Sequence, residues 1–466
     1  MKNLKVLAIN LCLRPYKSQI LFPIGFAYVV SAIDRAGYNL EILDLDAHRK
    51  TDEEVEEFLR NTDFDVVAMG CIVTGYKYVK KISQIVRKVN SSATIIAGNS
   101  VASSISKILL EKTEVDIAVI GEGDITIVET LDSLKKKTPL FYVDGLVYKN
   151  SGRIVPTSPR TVIPDVNSIS SPNWDLLDIE RYIEDSKNLV DEPFPIPKNK
   201  VRAFPINTAR GCPFKCTFCY QVFRGLGYRY RSAESLISEI KELQRKYGIN
   251  YILFHDDLSF FSRDQIEKFV DMILSEKLKF FWGAACRADL FSSKKDMPLL
   301  KKIKKSGCLG LGYSLESANP EILKAMNKKL NVEDFIRQTK LLNEVDLSVW
   351  TSLVFGYPQE TVETIRQTLN LCCDLDVYPS AGYLLPQPGT PMWDVLLNKE
   401  TIRDEESLLM ALGDRQDLRF NLTQIPDDVF QAEVKNGLKR ISDKLELKLK
   451  GDPLKTNVHR AKKKRG

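Results

Sequence analysis

Histidine is scarce in this 466-residue chain, which has only His48, His255 and His459. Any metal site built on imidazole is therefore poorly supplied, and a structural zinc, which takes four Cys or His ligands, would depend on cysteine. No apolar run reaches the ~20 residues that span a bilayer. The longest, Ile20 to Ile33, is broken by Pro23 and Gly25. The lysine-flanked start, MKNLKVLAINLCLRP, has no small-residue cleavage pattern after it and reads as a buried first strand. No period of 20 to 50 residues recurs, which sets aside solenoids and propellers. Net charge is a mild +6. No basic aromatic platform is visible, so nucleic acid is not an expected partner. The uncompensated Arg460, Lys462, Lys463, Lys464 and Arg465 read as a solvated tail.

What is present is the composition of an ordinary globular protein, 44% hydrophobic and 27% charged, long enough for two or three domains. A cytosolic location is expected, and its nine cysteines are expected to be reduced. From residue 4 to about 120, the apolar runs KVLAINLCL, LEILDLD, DVVAMGCIV, ATIIAGNS and VDIAVIGEG alternate with helical patterns. The helices are expected at 25–36, 51–61, 76–89, 103–112 and 125–137. Runs apolar enough to be buried on both faces, alternating with helices, predict a doubly wound parallel sheet over residues 1–150 whose ligands sit beyond the strand ends. Residues 151–200 hold seven of the 21 prolines and read as a linker, laid on a surface by Trp174, Tyr182 and Phe194.

A second βα series fills residues 201–395. Its strands are AFPINTAR, YILFHDD, FFWGAACRA, CLGLGYSLES, LSVWTSLVFGYP and VYPSAGYLLPQPGT. Six units are too few for a closed eight-stranded barrel, so a partial (β/α)6 TIM-type barrel is expected, with its chemistry at the C-terminal strand ends. Residues 396–466 form a helical C-terminal region without a readable motif.

The motif that carries chemistry is RGCPFKCTFC, which sets Cys212, Cys216 and Cys219 within eight positions. Gly211 and Pro213 favour a loop over a helix, and a loop can wrap thiolates around a compact object. Zinc would need a fourth ligand, and no second cysteine pair is near. Three thiolates suit a four-iron cluster with one iron left open. Three unrelated core cysteines are the plain alternative. Cys12, Cys71, Cys286, Cys308, Cys372 and Cys373 lie on apolar runs and read as core.

CPFKCTFC resembles the CxxxCxxC signature of the radical S-adenosylmethionine (SAM) enzymes and stands at the end of the first barrel strand, as in that superfamily. The resemblance implies that Cys212, Cys216 and Cys219 hold a 4Fe–4S cluster whose open iron binds SAM. An electron from the cluster would cleave the sulfonium to a 5′-deoxyadenosyl radical. It further implies an electron donor such as flavodoxin or ferredoxin. Phe218 would lie against the adenine. FHDDLSF resembles the acidic strand end, so Asp256 or Asp257 would take the SAM ammonium, or else cap the following helix. Arg287 of CRADL would meet a carboxylate, or simply lie on the surface. In GYSLESANPEILKAMNK, Glu316 and Ser317 would reach ribose hydroxyls, with a helix cap as Ser317's other role. Gly356 of FGYPQET would allow close backbone approach.

Residues 1–200 resemble the cobalamin-binding subgroup of the superfamily through FPIGFAYVVSAIDRAGYNLEILDLD, GEGDITIVETL, DGLVYKNSGRIV and SPNWDLLDIERY. The implied first domain is a Rossmann-like sheet of the cobalamin-binding type, with the corrin near Thr74, Gly98, Asn99, Gly121, Glu122 and Gly123. Asp-x-His-x-x-Gly is missing after the first strand. Asp46 and His48 echo it only partly after the second, and Asn99 replaces a common glycine. The implied function is methyl transfer to an unactivated carbon of a small molecule. Cyclisation, ring contraction, dehydration or carbon–carbon coupling is the alternative.

Overall fold

In the computed structural model of this chain, residues 4–456 are described except 18, 191–193, 221, 224, 400–403, 448 and 450. The basic tail, Arg460 to Arg465, and His459 lie outside the described residues. The first sheet has seven strands: β1 (Lys5–Asn10), β2 (Asn39–Asp44), β3 (Val66–Gly70), β4 (Thr94–Gly98), β5 (Ile117–Val119), β6 (Leu146–Asn150) and β7 (Arg153–Pro156). Their order is β2-β1-β3-β4-β5-β6-β7. The first five pair in parallel, while β6 pairs antiparallel with both β5 and β7. Parallel strands covered by helices on both faces must be apolar throughout, and β1 and β3 are buried almost end to end. The five expected strands are all present. The β6–β7 hairpin carries the sheet to Pro156, six residues into the expected linker.

The second sheet is β8 (Ala203–Ile206), β11 (Tyr251–Phe254), β12 (Phe281–Ala285), β13 (Cys308–Gly312) and β14 (Ser348–Trp350), in parallel. Between the first two lies a small hairpin of β9 (Ala209–Arg210) and β10 (Arg229–Tyr230). After Thr351 the chain continues as β15 (Ser352–Phe355), which pairs in parallel with β16 (Ser380–Tyr383). Glu316 bridges β13 to β15 by donating its N–H to Ser352 O at 2.9 Å and accepting from Val354 N at 3.1 Å. With β14 and β15 as one interrupted strand, this is the partial (β/α)6 barrel. Trp350 lies against three glycines. A Cβ at Gly283 or Gly310 would sit 2.7 Å from its ring, and one at Gly312 would overlap the indole nitrogen.

The linker is ordered by aromatic packing. Phe22 of the first domain meets Trp174, Tyr182 and Phe204 with ring centroids 4.6–5.7 Å apart. Phe194 packs on Tyr251 and Phe281 at 5.2 and 5.5 Å. The C-terminal region consists of helices Pro391–Leu397, Glu405–Ala411 and Asp427–Lys444, the last packed on helix Val362–Asp374. Among the described residues no helix is long and apolar enough to cross a membrane. Cys71, Cys286, Cys308 and Cys372 are buried, as expected for core thiols, whereas Cys12 and Cys373 are half-buried.

Candidate functional site

The three-thiol loop leaves the end of β8 and is fixed from four directions. Gly211 has φ +85°, and a Cβ there would overlap the carbonyl oxygen of Gly227, so glycine is required. Thr217 N donates to Met326 O at 2.9 Å, and its hydroxyl donates to Ala325 O at 2.9 Å and lies 2.8 Å from the Tyr357 hydroxyl. Asn327 Nδ2 donates to Lys215 O at 3.0 Å, and Met392 N to Thr217 O at 3.3 Å. Within the loop, Cys219 N reaches Cys216 O at 3.3 Å.

All three thiols are half-buried. They are close enough to act on shared neighbours. Burial raises the Cys216 thiol against the charge of Lys328, with Cys212 adding to the rise. Cys216 and Cys219 both act on Lys328 and on Tyr357. Yet among the described residues no three Cys, His, Asp or Glu converge on the shell of one metal ion. Three thiol donors on one loop, acting on shared neighbours, are the donor set of a cluster in which each holds its own iron.

Around this loop the expected SAM residues divide. Asp256 is fully occupied as a structural acceptor: it takes bonds from Asn207 Nδ2, Thr208 N, Thr208 Oγ1 and Ala209 N at 2.7–3.2 Å. Its carboxylate thereby shapes the approach to the thiol loop. Asp257 is different. It borders the cavity described below with its side chain exposed, and partial desolvation by the surrounding walls, helped by the Asp256 charge, raises its pKa to about 6. Glu316 has φ +63°. Its Oε1 takes a bond from Lys328 Nζ at 2.9 Å, while the buried Oε2 has no partner among the described residues. Phe218 meets Tyr357 edge-on at 6.4 Å. Gly356 has φ +116° and gives its N–H to Glu360 Oε2 at 3.0 Å.

Two expected contacts are engaged elsewhere. The Ser317 hydroxyl accepts from Asn319 N at 3.1 Å and meets Thr368 Oγ1 at 3.3 Å, as a helix-entry residue does. Arg287 donates twice to Asp289 at 2.6 and 2.7 Å and stacks on Phe214 at 4.3 Å, which holds an aromatic of the thiol loop.

A cavity of about 320 Å³ opens between the two domains. Its inner end is apolar, walled by Ala8, Ala68, Ile96 and Val119 of the first sheet and by Val30 and Ile33 of helix Ile24–Arg35. Its rim carries Gly98, Asn99 and Gly121–Gly123, and its far wall is Asn207, Gly211, His255 and Asp257 of the barrel. Helices Asn99–Lys112 and Gly123–Lys136 begin at this rim; the first has leading N–H groups engaged, Ser100 N by Asn99 Oδ1 and Val101 N by Cys71 O, while no side chain caps the second. An apolar slot below the uncapped start of helix Gly123–Lys136 fits the base and phosphate of a corrinoid's nucleotide arm. Asn99 adopts φ +68°, so it serves where a glycine is common, its Oδ1 taking a bond from Ser100 N at 2.6 Å. Thr74 lies on the turn Val73–Gly75, apart from the cavity wall, and His48 is exposed at the end of helix Leu45–His48. His255, unremarked in the sequence as a site residue, borders the cavity and is exposed to it.

Glu122 reaches the cavity wall, but its carboxylate serves the domain interface. It takes bonds from Arg210 Nη1 at 2.8 Å, Arg229 Nη1 at 3.0 Å and Ile163 N at 2.7 Å. Arg210 also holds Asp124 through two bonds of 2.8 and 2.9 Å and stacks over Tyr28. Burial pushes Asp124 up, but the Arg210 hydrogen bonds and charge outweigh it and leave the carboxyl below its ordinary range. Sequence reasoning missed Arg210, whose place directly before Gly211 and Cys212 was the available signal.

Residues 206–372 match the family model described as the Radical SAM superfamily, and residues 18–131 match that of the B12 binding domain. The chain is 28% identical to an uncharacterized methyltransferase, PH0819, of Pyrococcus horikoshii, over 84% of this chain and 83% of that protein. It is 27% identical to the anaerobic magnesium-protoporphyrin IX monomethyl ester cyclase of Cereibacter sphaeroides, over 82% of this chain and 61% of that one. Among solved structures, the radical SAM methyltransferase TsrM of Kitasatospora setae, with cobalamin and a [4Fe–4S] cluster bound, superposes with a TM-score of 0.66. That match has 19% identity and covers 86% of this chain and 76% of TsrM. The cobalamin-dependent SAM radical enzyme OxsB, with aqua-cobalamin and SAM bound, gives 0.67 at 18% identity over 99% and 64%.

Proposed function

Because the chain is a radical SAM protein with a B12-binding domain ahead of its barrel, we propose that it is a cobalamin-dependent radical methyltransferase acting on an unactivated carbon of a small molecule. When bound, the cluster and SAM supply a 5′-deoxyadenosyl radical and the corrin supplies the methyl group. Cys212, Cys216 and Cys219 would hold the cluster. Asp257, which makes no side-chain hydrogen bond among the described residues, would take the SAM ammonium, and its ionised form is the binding form. Glu316 and Lys328, paired beside the thiols, would face the polar end of SAM, and Phe218 its adenine. Gly98, Asn99, Gly121 and Gly123 would let the backbone approach the corrinoid arm. A one-electron donor such as flavodoxin or ferredoxin would serve it in the cytoplasm.

The observation that carries this reading is a shared wall. Gly211, next to Cys212, and Asp257 line the same cavity as Gly98 and Gly121. On this reading both cofactor sites would open on one space between the two domains. The test is transfer of a labelled methyl group from SAM to the bound corrin in anaerobically reconstituted protein, with and without added hydroxocobalamin. Label on the corrin is the expected result. SAM cleavage to 5′-deoxyadenosine that never needs corrin, with no label moved, would overturn it. That outcome favours the second reading, radical cyclisation or coupling without methyl transfer, which the likeness to the cyclase supports.

A further inference from the structure

A groove of about 540 Å³ lies on the surface where helix Pro320–Ala325 turns into helix Val332–Glu344. Leu323, Leu330 and Val332 are its apolar lining, and Lys324, Lys329 and Glu333 are its exposed charges. The neighbouring Lys328 and Arg337 are paired with Glu316 and Asp334, whereas Lys324 and Lys329 have no carboxylate partner among the described residues. Glu333, the one carboxylate in the lining, stands in the first turn of helix Val332–Glu344, where the helix dipole offsets its charge. Asn327 and Lys329 hold left-handed backbone, with φ +50° and +51°, so the turn that presents the lysines is kept in a conformation that side chains rarely adopt. The groove also touches the thiol loop. Asn327, part of its lining, donates to the carbonyl of Lys215, one peptide bond from Cys216, and Met326 O takes Thr217 N on the other side of that cysteine. Lys215 is exposed on the same loop.

We propose that this groove docks the protein that reduces the cluster, a small one-electron carrier with carboxylates around its redox centre. This rests on the cluster reading given above, in which each SAM cleavage consumes one electron that must come from outside the chain. In the docked pair one electron leaves the carrier's reduced centre, oxidising it by one unit, and the cluster gains it; no bond breaks and no atom is transferred. The apolar lining supplies contact, and the unpaired lysines steer and orient an acidic face, as charge does at transient interfaces. Lys301 and Lys305 are also exposed, but helix Met297–Lys305 leads into the start of β13, at the opposite end of the barrel from the thiol loop. Position, not the number of lysines, singles out the groove.

The experiment is stopped-flow reduction of the cluster in the anaerobically reconstituted full chain, with reduced flavodoxin as the acidic carrier and dithionite as a reductant that needs no docking surface. Lys324→Glu/Lys329→Glu is expected to slow the flavodoxin reaction about tenfold at low salt and to leave the dithionite reaction within about twofold. Added salt should slow the wild type and narrow the gap. Lys301→Glu/Lys305→Glu, the same charge change at the far end, should stay within about twofold of the wild type. Carbodiimide coupling of the wild-type pair should join flavodoxin carboxylates to Lys324 or Lys329. Unchanged flavodoxin rates in the first double variant, or equal slowing in both, overturn the proposal. If the first variant also slows dithionite, its cluster is disturbed and the coupling map decides: links at Lys324 or Lys329 support the proposal, and links only elsewhere refute it. A wild-type chain that assembles no cluster removes the proposed function and this inference together. A normal cluster that flavodoxin reduces equally well in every variant removes the inference alone.

Discussion

Arg210 and Asp124 face each other across the domain boundary through two hydrogen bonds of 2.8 and 2.9 Å, two residues before the first cluster-loop cysteine. The same guanidinium reaches Glu122, whose side chain is only 2% exposed. The loop that presents Cys212 is thereby tied to the helix start that rims the cavity. Removing one partner of a buried pair strands the other charge, which costs about 3–5 kcal/mol. Arg210→Ala is expected to lose that much stability in urea unfolding. A loss below about 1 kcal/mol would show that the interface is held by packing alone.

Thr217 carries the second tie, since its hydroxyl serves both Ala325 O and Tyr357. Thr217→Val removes both bonds at nearly constant volume, whereas Tyr357→Phe removes one. Unmade buried bonds cost about 1–3 kcal/mol. Reconstituted Thr217→Val should therefore lose iron to a chelator faster than Tyr357→Phe, and both faster than the wild type.

Asp257 gives a pH dependence with a definite sign. Its pKa is raised from 3.8 to about 6 by partial desolvation in the cavity wall and the Asp256 charge. The unfolded chain therefore releases this proton first, and the group's contribution to stability falls as pH rises from about 4 to 6. Ligand binding runs the opposite way, because the SAM ammonium needs the carboxylate. SAM affinity is expected to rise through pH 6 and level off above it. Asp257→Asn should bind about tenfold more weakly at pH 7.5, with that rise abolished, consistent with loss of a charged hydrogen bond. Equilibrium dialysis across pH 5 to 8 measures both.

Trp350 lies where the side chains of Gly283, Gly310 and Gly312 would be. Gly312→Ala should overpack this face of the barrel by about 1–3 kcal/mol. Trp350→Leu should absorb the added methyl, so the double variant is expected to lose less than the two single losses together, the signature of direct contact. Strict additivity in thermal unfolding would contradict the packing described here.

Much of this was legible from residue order. Strands buried on both faces must be apolar throughout, so KVLAINLCL and ATIIAGNS identified themselves, as did the six barrel units. The β6–β7 hairpin was not read as strands, because LVYKN and RIVP mix polar and apolar residues instead of running apolar throughout as the parallel strands do. Three thiols within eight positions announced the loop, since spacing along the chain is visible. What holds the loop was not visible. Residues 325–327 dock on 215–217, more than a hundred positions away in sequence. For the same reason FHDDLSF could not say which aspartate is free. Asp256 is consumed by the backbone of Thr208 and Ala209, a contact set by strand register and not by side-chain type.

The most direct measurement is the iron and acid-labile sulfide content of anaerobically reconstituted wild type, beside a Cys212→Ala/Cys216→Ala/Cys219→Ala variant. Four irons and four sulfides per chain in the first and essentially none in the second are expected. Zinc in place of iron, or iron that survives loss of all three thiols, would contradict the account.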